Sequence, residues 1–288
     1  MQRIAVGLAF VAVAIATWLT AYTPRAESAA SDELLVWGAV VLGLGVTAAL
    51  VFDMGRRRLD GLHTDRDGDR TTIRQAWRRA VVAAAVGTAL VAIGSFGIER
   101  SASMARGFVL TTLAIVAAVP AAATLFAVAL VLAAVESAPG GRKEGAAGRL
   151  ILFRRLRMIA RTSVTAMGSL VALTTFALGA ARLVPPAAGQ EQLSAASVLV
   201  FGGTGTALLA AVYSVAHRPL REHARDLADE LAPLQAADPA TLRDELEQRE
   251  RVEHQLGLDL GLVDELRIGV FVYGPLLSAA VSLLLTGR

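Results

Sequence analysis

The sequence predicts an all-α, polytopic membrane protein: a bundle of seven transmembrane helices with a cytoplasmic helical hairpin between spans six and seven. Three observations carry this. Hydrophobic residues make up 55% of the 288 positions and charged ones 18%, with mean hydropathy +0.54, off the ordinary soluble balance. Seven windows of 19 or more residues contain no Asp, Glu, Lys or Arg. The cations between those windows alternate between two sides in register with them.

The windows are 4–24, 34–52, 80–98, 107–135, 162–181, 192–216 and 268–287, together 153 residues. At ~1.5 Å per residue each is long enough to cross a ~30 Å hydrocarbon core. The first follows basic Arg3 and precedes small residues at 26–30, as a signal peptide would. Its charge-free stretch exceeds the ~7–15-residue apolar core of such peptides, so it is expected to remain as an anchor. Orientation follows from Lys and Arg, which resist translocation. Arg3 and the segments 53–79, 136–161 and 217–267 carry 23 of them, against five on the other side: Arg25, Arg100, Arg106, Arg182 and Arg288. The expected location is a bacterial cytoplasmic (inner) membrane, multi-pass, with the N-terminus inside and the C-terminus outside. Abundant alanine, 27 arginines and a single lysine, Lys143, match a GC-rich bacterial genome.

Three regions follow: a six-span part over 1–216, an acidic hairpin over 217–267 and a last span over 268–288. Within the fourth window Pro120 predicts a kink, as Gly274–Pro275 does in the seventh. Before span five, Leu152, Leu156 and Ile159 recur at helical spacing opposite Arg154, Arg157 and Arg161. This describes a basic amphipathic helix in the headgroup layer, either a topology anchor or a binder of anionic lipid. In the hairpin, Leu220, Ala224, Leu227, Leu231 and Leu234 make a heptad-type seam. Asp238 and Pro239 then restart a helix as N-cap and N1, whose apolar side (Leu242, Leu246, Val252, Leu256) is interrupted by Arg249. The segment holds thirteen acids against seven arginines. Its seam either packs under the membrane domain of the same chain or offers Leu220, Leu227, Leu231 and Leu234 to a partner.

Tests for chemistry remove most enzyme classes. With no cysteine, disulfides, thiolate metal sites, iron–sulfur clusters and cysteine nucleophiles are excluded. A retinal Schiff base needs a lysine in the last span, and Lys143 lies in a loop. His63, His217, His223 and His254 sit in loops or at a span end, so membrane haem lacks axial ligands, and no HExxH occurs. Three of these histidines share one loop without a zinc-like spacing. Asp65, Asp67 and Asp69 resemble an EF-hand start, but the sixth and twelfth positions are Arg70 and Ala76. Nor do they fit the aspartate spacing of the alcohol phosphotransferases, or supply the two clusters of a prenyltransferase. No P-loop is present, and Gly202, Gly203 and Gly205 favour close helix approach.

No acid or base lies inside any window, which argues against proton or sodium coupling. Hydroxyls remain: Thr174, Thr175, Thr204, Thr206, Tyr213 and Tyr273 line a polar path or bond to a carbonyl one turn back. The function expected is therefore a non-catalytic integral membrane component, a scaffold, regulator or effector assembling through its helices and hairpin. The alternative is an uncoupled channel or facilitator with Thr204, Thr206, Tyr213 and Tyr273 along its pore. A lipid-modifying enzyme using the loop aspartates comes third. No cofactor is expected. The expected partners are the lipid bilayer and either a second copy or another membrane subunit, with no nucleic acid.

Overall fold

A computed structural model describes residues 2–22, 32–64, 70–98, 102–137, 145–182, 195–234 and 239–258. They form helices α1 (Gln2–Tyr22), α2 (Asp32–Thr64), α3 (Arg70–Ile98), α4 (Ala102–Ser137), α5 (Ala146–Ala181), α6 (Ala195–Leu231) and α7 (Pro239–Leu256). Among the described residues the protein is all-helical. Five helices contain stretches long and apolar enough to span a membrane: Leu34–Leu62, Arg70–Ile93, Ala105–Val135, Ala146–Ala181 and Val198–Leu231. They make the chain a multi-pass membrane protein. The apolar part of α1, Ala5–Leu19, is shorter. The window 268–287 lies outside the described residues, as do Gly274, Pro275 and Tyr273.

The helices do not stop where the charge begins. Helix α2 continues from Phe52 through Arg56, Arg57 and Arg58 to Thr64, with Arg57 paired to Asp53 one turn back at 2.5 Å. Helix α5 is one uninterrupted element. The segment before span five is thus the first part of α5 and not a separate helix. No proline breaks it between Ala146 and Ala181, and helix propagation past a charge costs little where a packed face continues. Its apolar side also faces the protein: Phe153, Leu156 and Ile159 are buried in the core, while Ile151 and Met158 are exposed.

Helix α4 is the axle. It packs against α1, α2, α3, α5 and α6, and 72% of its apolar stretch is buried, against 22% for α3 and for α6. Small residues set the approaches of its neighbours. Helix α1 lies antiparallel on α2, with Gly7 beside Ala49, Ala14 over Gly45 and the Trp18 indole over Gly38. The tightest approach is between α2 and α4. A Cβ built on Gly55 would stand 2.6 Å from the Ala121 backbone nitrogen and 2.9 Å from the Pro120 carbonyl carbon. Thr124 locks the crossing, its hydroxyl facing the Gly55 carbonyl at 3.2 Å and the Pro120 carbonyl at 2.8 Å. At the far end the Trp37 indole N–H donates to the Ala177 carbonyl of α5 at 3.0 Å.

Levels along the bundle follow from a cavity that α3, α4, α5 and α6 share. Ala80, Ala122, Met167 and Val212 line it toward the arginine-rich end, and Val91, Thr111, Thr175 and Phe201 toward the other. Beyond Ala122, α4 therefore runs beside the charged halves of α5 and α6. Ala121, Ala123, Leu125, Val128 and Leu132 are nevertheless fully buried there. Within the charge-free window 107–135, the half of α4 beyond Pro120 is packed inside helices whose outer faces carry arginines. The helix continues through Pro120.

Gly55→Leu should disrupt the α2–α4 crossing, costing about 1–3 kcal/mol or more from overpacking. A thermal-melt series in detergent should show this loss, whereas Gly43→Ala, with open space around it, should melt as the native chain does.

Candidate functional site: the junction of α5, α6 and α7

The charged end of the bundle is where side chains of opposite character meet across elements. The last turns of α6 carry Asp226, Asp229 and Glu230, and the first half of α5 carries Arg149, Arg154, Arg155, Arg157 and Arg161. Arg149 pairs with Glu230 and ties the two helices. Below this pair His223 is buried, 2% exposed, with its ring 6.3 Å from that of Phe153. The Arg157 guanidinium lies over the other side of the Phe153 environment, 5.9 Å from the ring centroid, in the range of a cation–π contact.

Arg157 also donates to the carbonyl of Leu256, the last residue of α7. That carbonyl belongs to the set a helix leaves unsatisfied at its C-terminus, where positive charge is favoured. The end itself is a Schellman motif. The Leu258 N–H bonds to the Glu253 carbonyl at 2.9 Å and the Gly257 N–H to the His254 carbonyl at 3.0 Å, with Gly257 at φ +67°, the left-handed conformation glycine adopts freely. A Cβ at Gly257 would also collide with the Arg157 guanidinium. Leu256 is buried and Val252 packs on the core.

Arg249, which interrupts the apolar side of α7, is what joins that helix to α6. It meets Asp229 at 2.6 Å and Glu253 at 2.6 Å, and reaches the Ala232 carbonyl at 3.4 Å. The hydrogen bond to Glu253, followed by Asp229, raises its pKa above the ordinary arginine value against the effect of burial, so it stays charged. Beside it opens a groove of about 670 Å³ lined by Asp229, Pro233, Leu234, Leu246, Arg249, Glu250 and Glu253. Leu234 is 51% exposed and Leu246 49%, so an apolar floor sits within an acidic rim.

The seam residues divide. Leu220 and Leu227 are buried in the chain's own core with Ala224, Leu231 is half-buried, and Leu234 is exposed. Arg154 and Arg161 are exposed, while Arg157 is half-buried and engaged with Leu256. Thr204 is half-buried. Thr206 bonds to the Gly202 carbonyl at 2.8 Å, and Thr174 and Thr175 to Leu170 and Val171 at 2.7 and 2.8 Å. Tyr213 is buried with its ring 5.5 Å from that of His217. Asp65, Asp67, Asp69 and Lys143 lie outside the described residues. Among the described residues no three of His, Asp or Glu converge as metal ligands would.

Sequence reasoning missed the bridging roles of Arg149, Arg157 and Arg249. A signal existed for one of them: a charge set between Leu246 and Val252 on an otherwise apolar stripe needs a partner on the facing helix. Gly257 after Leu256 was equally readable as a C-terminal stop. Comparison with protein-family models, with curated proteins and with solved structures finds no match.

Removing the Arg249 bridge should loosen α7. Arg249→Ala is expected to raise the rate of cleavage within α7 by a glutamate-specific protease about tenfold, equivalent to ~1.4 kcal/mol. Arg218→Ala, which loses only an exposed pair to Glu222, should leave the rate unchanged.

Proposed function

We propose that this chain is a non-catalytic integral membrane component, a scaffold or regulator that assembles with another membrane subunit or a second copy through the end of α6 and α7. In this reading the chain has seven spans, the segment 217–267 is a cytoplasmic hairpin, and the membrane is a bacterial inner membrane with the N-terminus inside. The observation that carries it is the α6–α7 groove. It presents exposed Leu234 and Leu246 within the acids Asp229, Glu250 and Glu253, on a helix tied down by Arg249 and by Arg157. Leu242 adds a further exposed apolar side chain on α7. An apolar anchor with a charged rim is the anatomy of a specific contact, and the surplus of acids selects a partner segment bearing arginine or lysine.

Burial of Leu220 and Leu227 moves the docking surface away from the first turns of the seam and onto its exposed end. The uncoupled channel draws no support from Thr174, Thr175 and Thr206, whose hydroxyls bond within their own helices.

Native mass spectrometry of the protein gently extracted from its own cells should show a higher-mass complex, and Leu234→Asp/Leu246→Asp should abolish it with the melting temperature unchanged. An unaltered complex carrying both substitutions would refute this docking surface.

A further inference from the structure

The cavity shared by α3, α4, α5 and α6 has no place in the partner reading, and its chemistry is specific. It holds about 120 Å³, the scale of apolar cavities that stay dry and take hydrocarbon. Its three threonines, Thr111, Thr174 and Thr175, bond to carbonyls one turn back in their own helices, so the walls offer an occupant only apolar contact. It extends from Ala80 to Val91 along α3, roughly 16 Å at ~1.5 Å per residue. Its walls are four of the five helices long and apolar enough to span a membrane. Helix α4 packs on α3, α5 and α6, whereas α3 and α6 meet only sparsely, which leaves the opening between these two.

The mouth is marked by charge. Arg78 and Arg79 are exposed and immediately precede the lining residue Ala80. Helix α3 carries four arginines and no acid, and α5 carries five with no acid. On α5, exposed Arg161 stands six residues beyond the lining residue Met167, toward the same end. A dry hydrocarbon slot between two apolar helices, with exposed arginines on the helices around it toward one end, matches one class of molecule.

We propose that the α3/α6 cleft is a binding site for an anionic phospholipid of the surrounding bilayer, with a segment of one acyl chain in the cavity and the phosphate at the exposed Arg78 and Arg79 toward its charged end. The site is independent of partner docking at α7.

The test is native mass spectrometry of the full chain in detergent, titrated with phosphatidylglycerol or phosphatidylcholine bearing the same oleoyl chains. One phosphatidylglycerol should be retained about thirtyfold more tightly than phosphatidylcholine, the scale set by two surface cations on an anionic headgroup. Ala84→Leu, which fills the cavity, should reduce retention of both lipids. Arg78→Gln/Arg79→Gln should remove the preference and keep the weaker tail binding. Should Ala84→Leu lower the melting temperature, Ala118→Leu from the opposite wall reads the same blockage. Equal retention of the two lipids by the native chain, or unchanged retention in both filled variants, overturns the proposal. So does efficient disulfide formation between Gly87→Cys and a cysteine scanned through 268–287. In a chain without native cysteines, that bond would put the chain's own apolar segment in the cleft.

Discussion

Helix α2 lies against α4 backbone to backbone because position 55 has no side chain. The gap there is smaller than any Cβ permits, and the hydroxyl of Thr124 bridges the two helices across it. This contact sets which level of α2 meets which level of α4, and α4 touches each of the other apolar helices. Their positions along the axle therefore depend on it. The proline next to the crossing is part of the arrangement. Proline lacks the N–H and frees a carbonyl one turn earlier, and the single Thr124 hydroxyl proton is shared between the Pro120 carbonyl of its own helix and the Gly55 carbonyl of α2.

From this register comes the division of α4. One half runs among helices that expose Val81, Val82, Val86, Leu90 and Ile93 on α3 and Leu199 and Val200 on α6, surfaces suited to hydrocarbon. The other is sheathed by helices whose outer faces carry arginines and acids, with Phe126, Val131 and Leu132 packed inside. The junction of α5, α6 and α7 is the end of that sheath. The ion pairs there close it, because Arg149, Arg157 and Arg249 each join two elements or cap one. Arg149 and Arg249 are only 14% and 18% exposed, and the contacts of Arg157 and Arg249 fix where α7 sits on the buried contacts of Val252 and Leu256.

Much of this was legible in the residues. Five of the seven charge-free windows fall in helices long and apolar enough to span a membrane, since a charge in hydrocarbon is costly and its absence over some twenty residues is informative. Less legible was where each helix ends. Charge density marked Phe52 and Arg161 as boundaries, yet α2 and α5 continue past both, because backbone hydrogen bonding does not stop at a membrane surface. The 29 uncharged residues at 107–135 read as one long kinked span, and Ala105–Val135 is long and apolar enough to be one; hydropathy does not say which parts of it are surrounded by lipid and which by protein. The same ambiguity left the Leu220–Leu234 seam open between an internal and an external use, and packing resolves it residue by residue. Gly55 carried no signal at all: only the identity of the facing helix makes a glycine there necessary.

The division of α4 is most directly tested by spin-label accessibility at two exposed positions on either side of the proposed boundary. Met158→Cys on α5 belongs to the sheath and Val86→Cys on α3 to the span, and both side chains are exposed, 61% and 51%. In reconstituted vesicles the account predicts that a label at 158 collides preferentially with a water-soluble nickel chelate and one at 86 with oxygen dissolved in the bilayer. A label at 158 that favours oxygen as strongly as the label at 86 would contradict it, because the second half of α4 would then lie within the membrane.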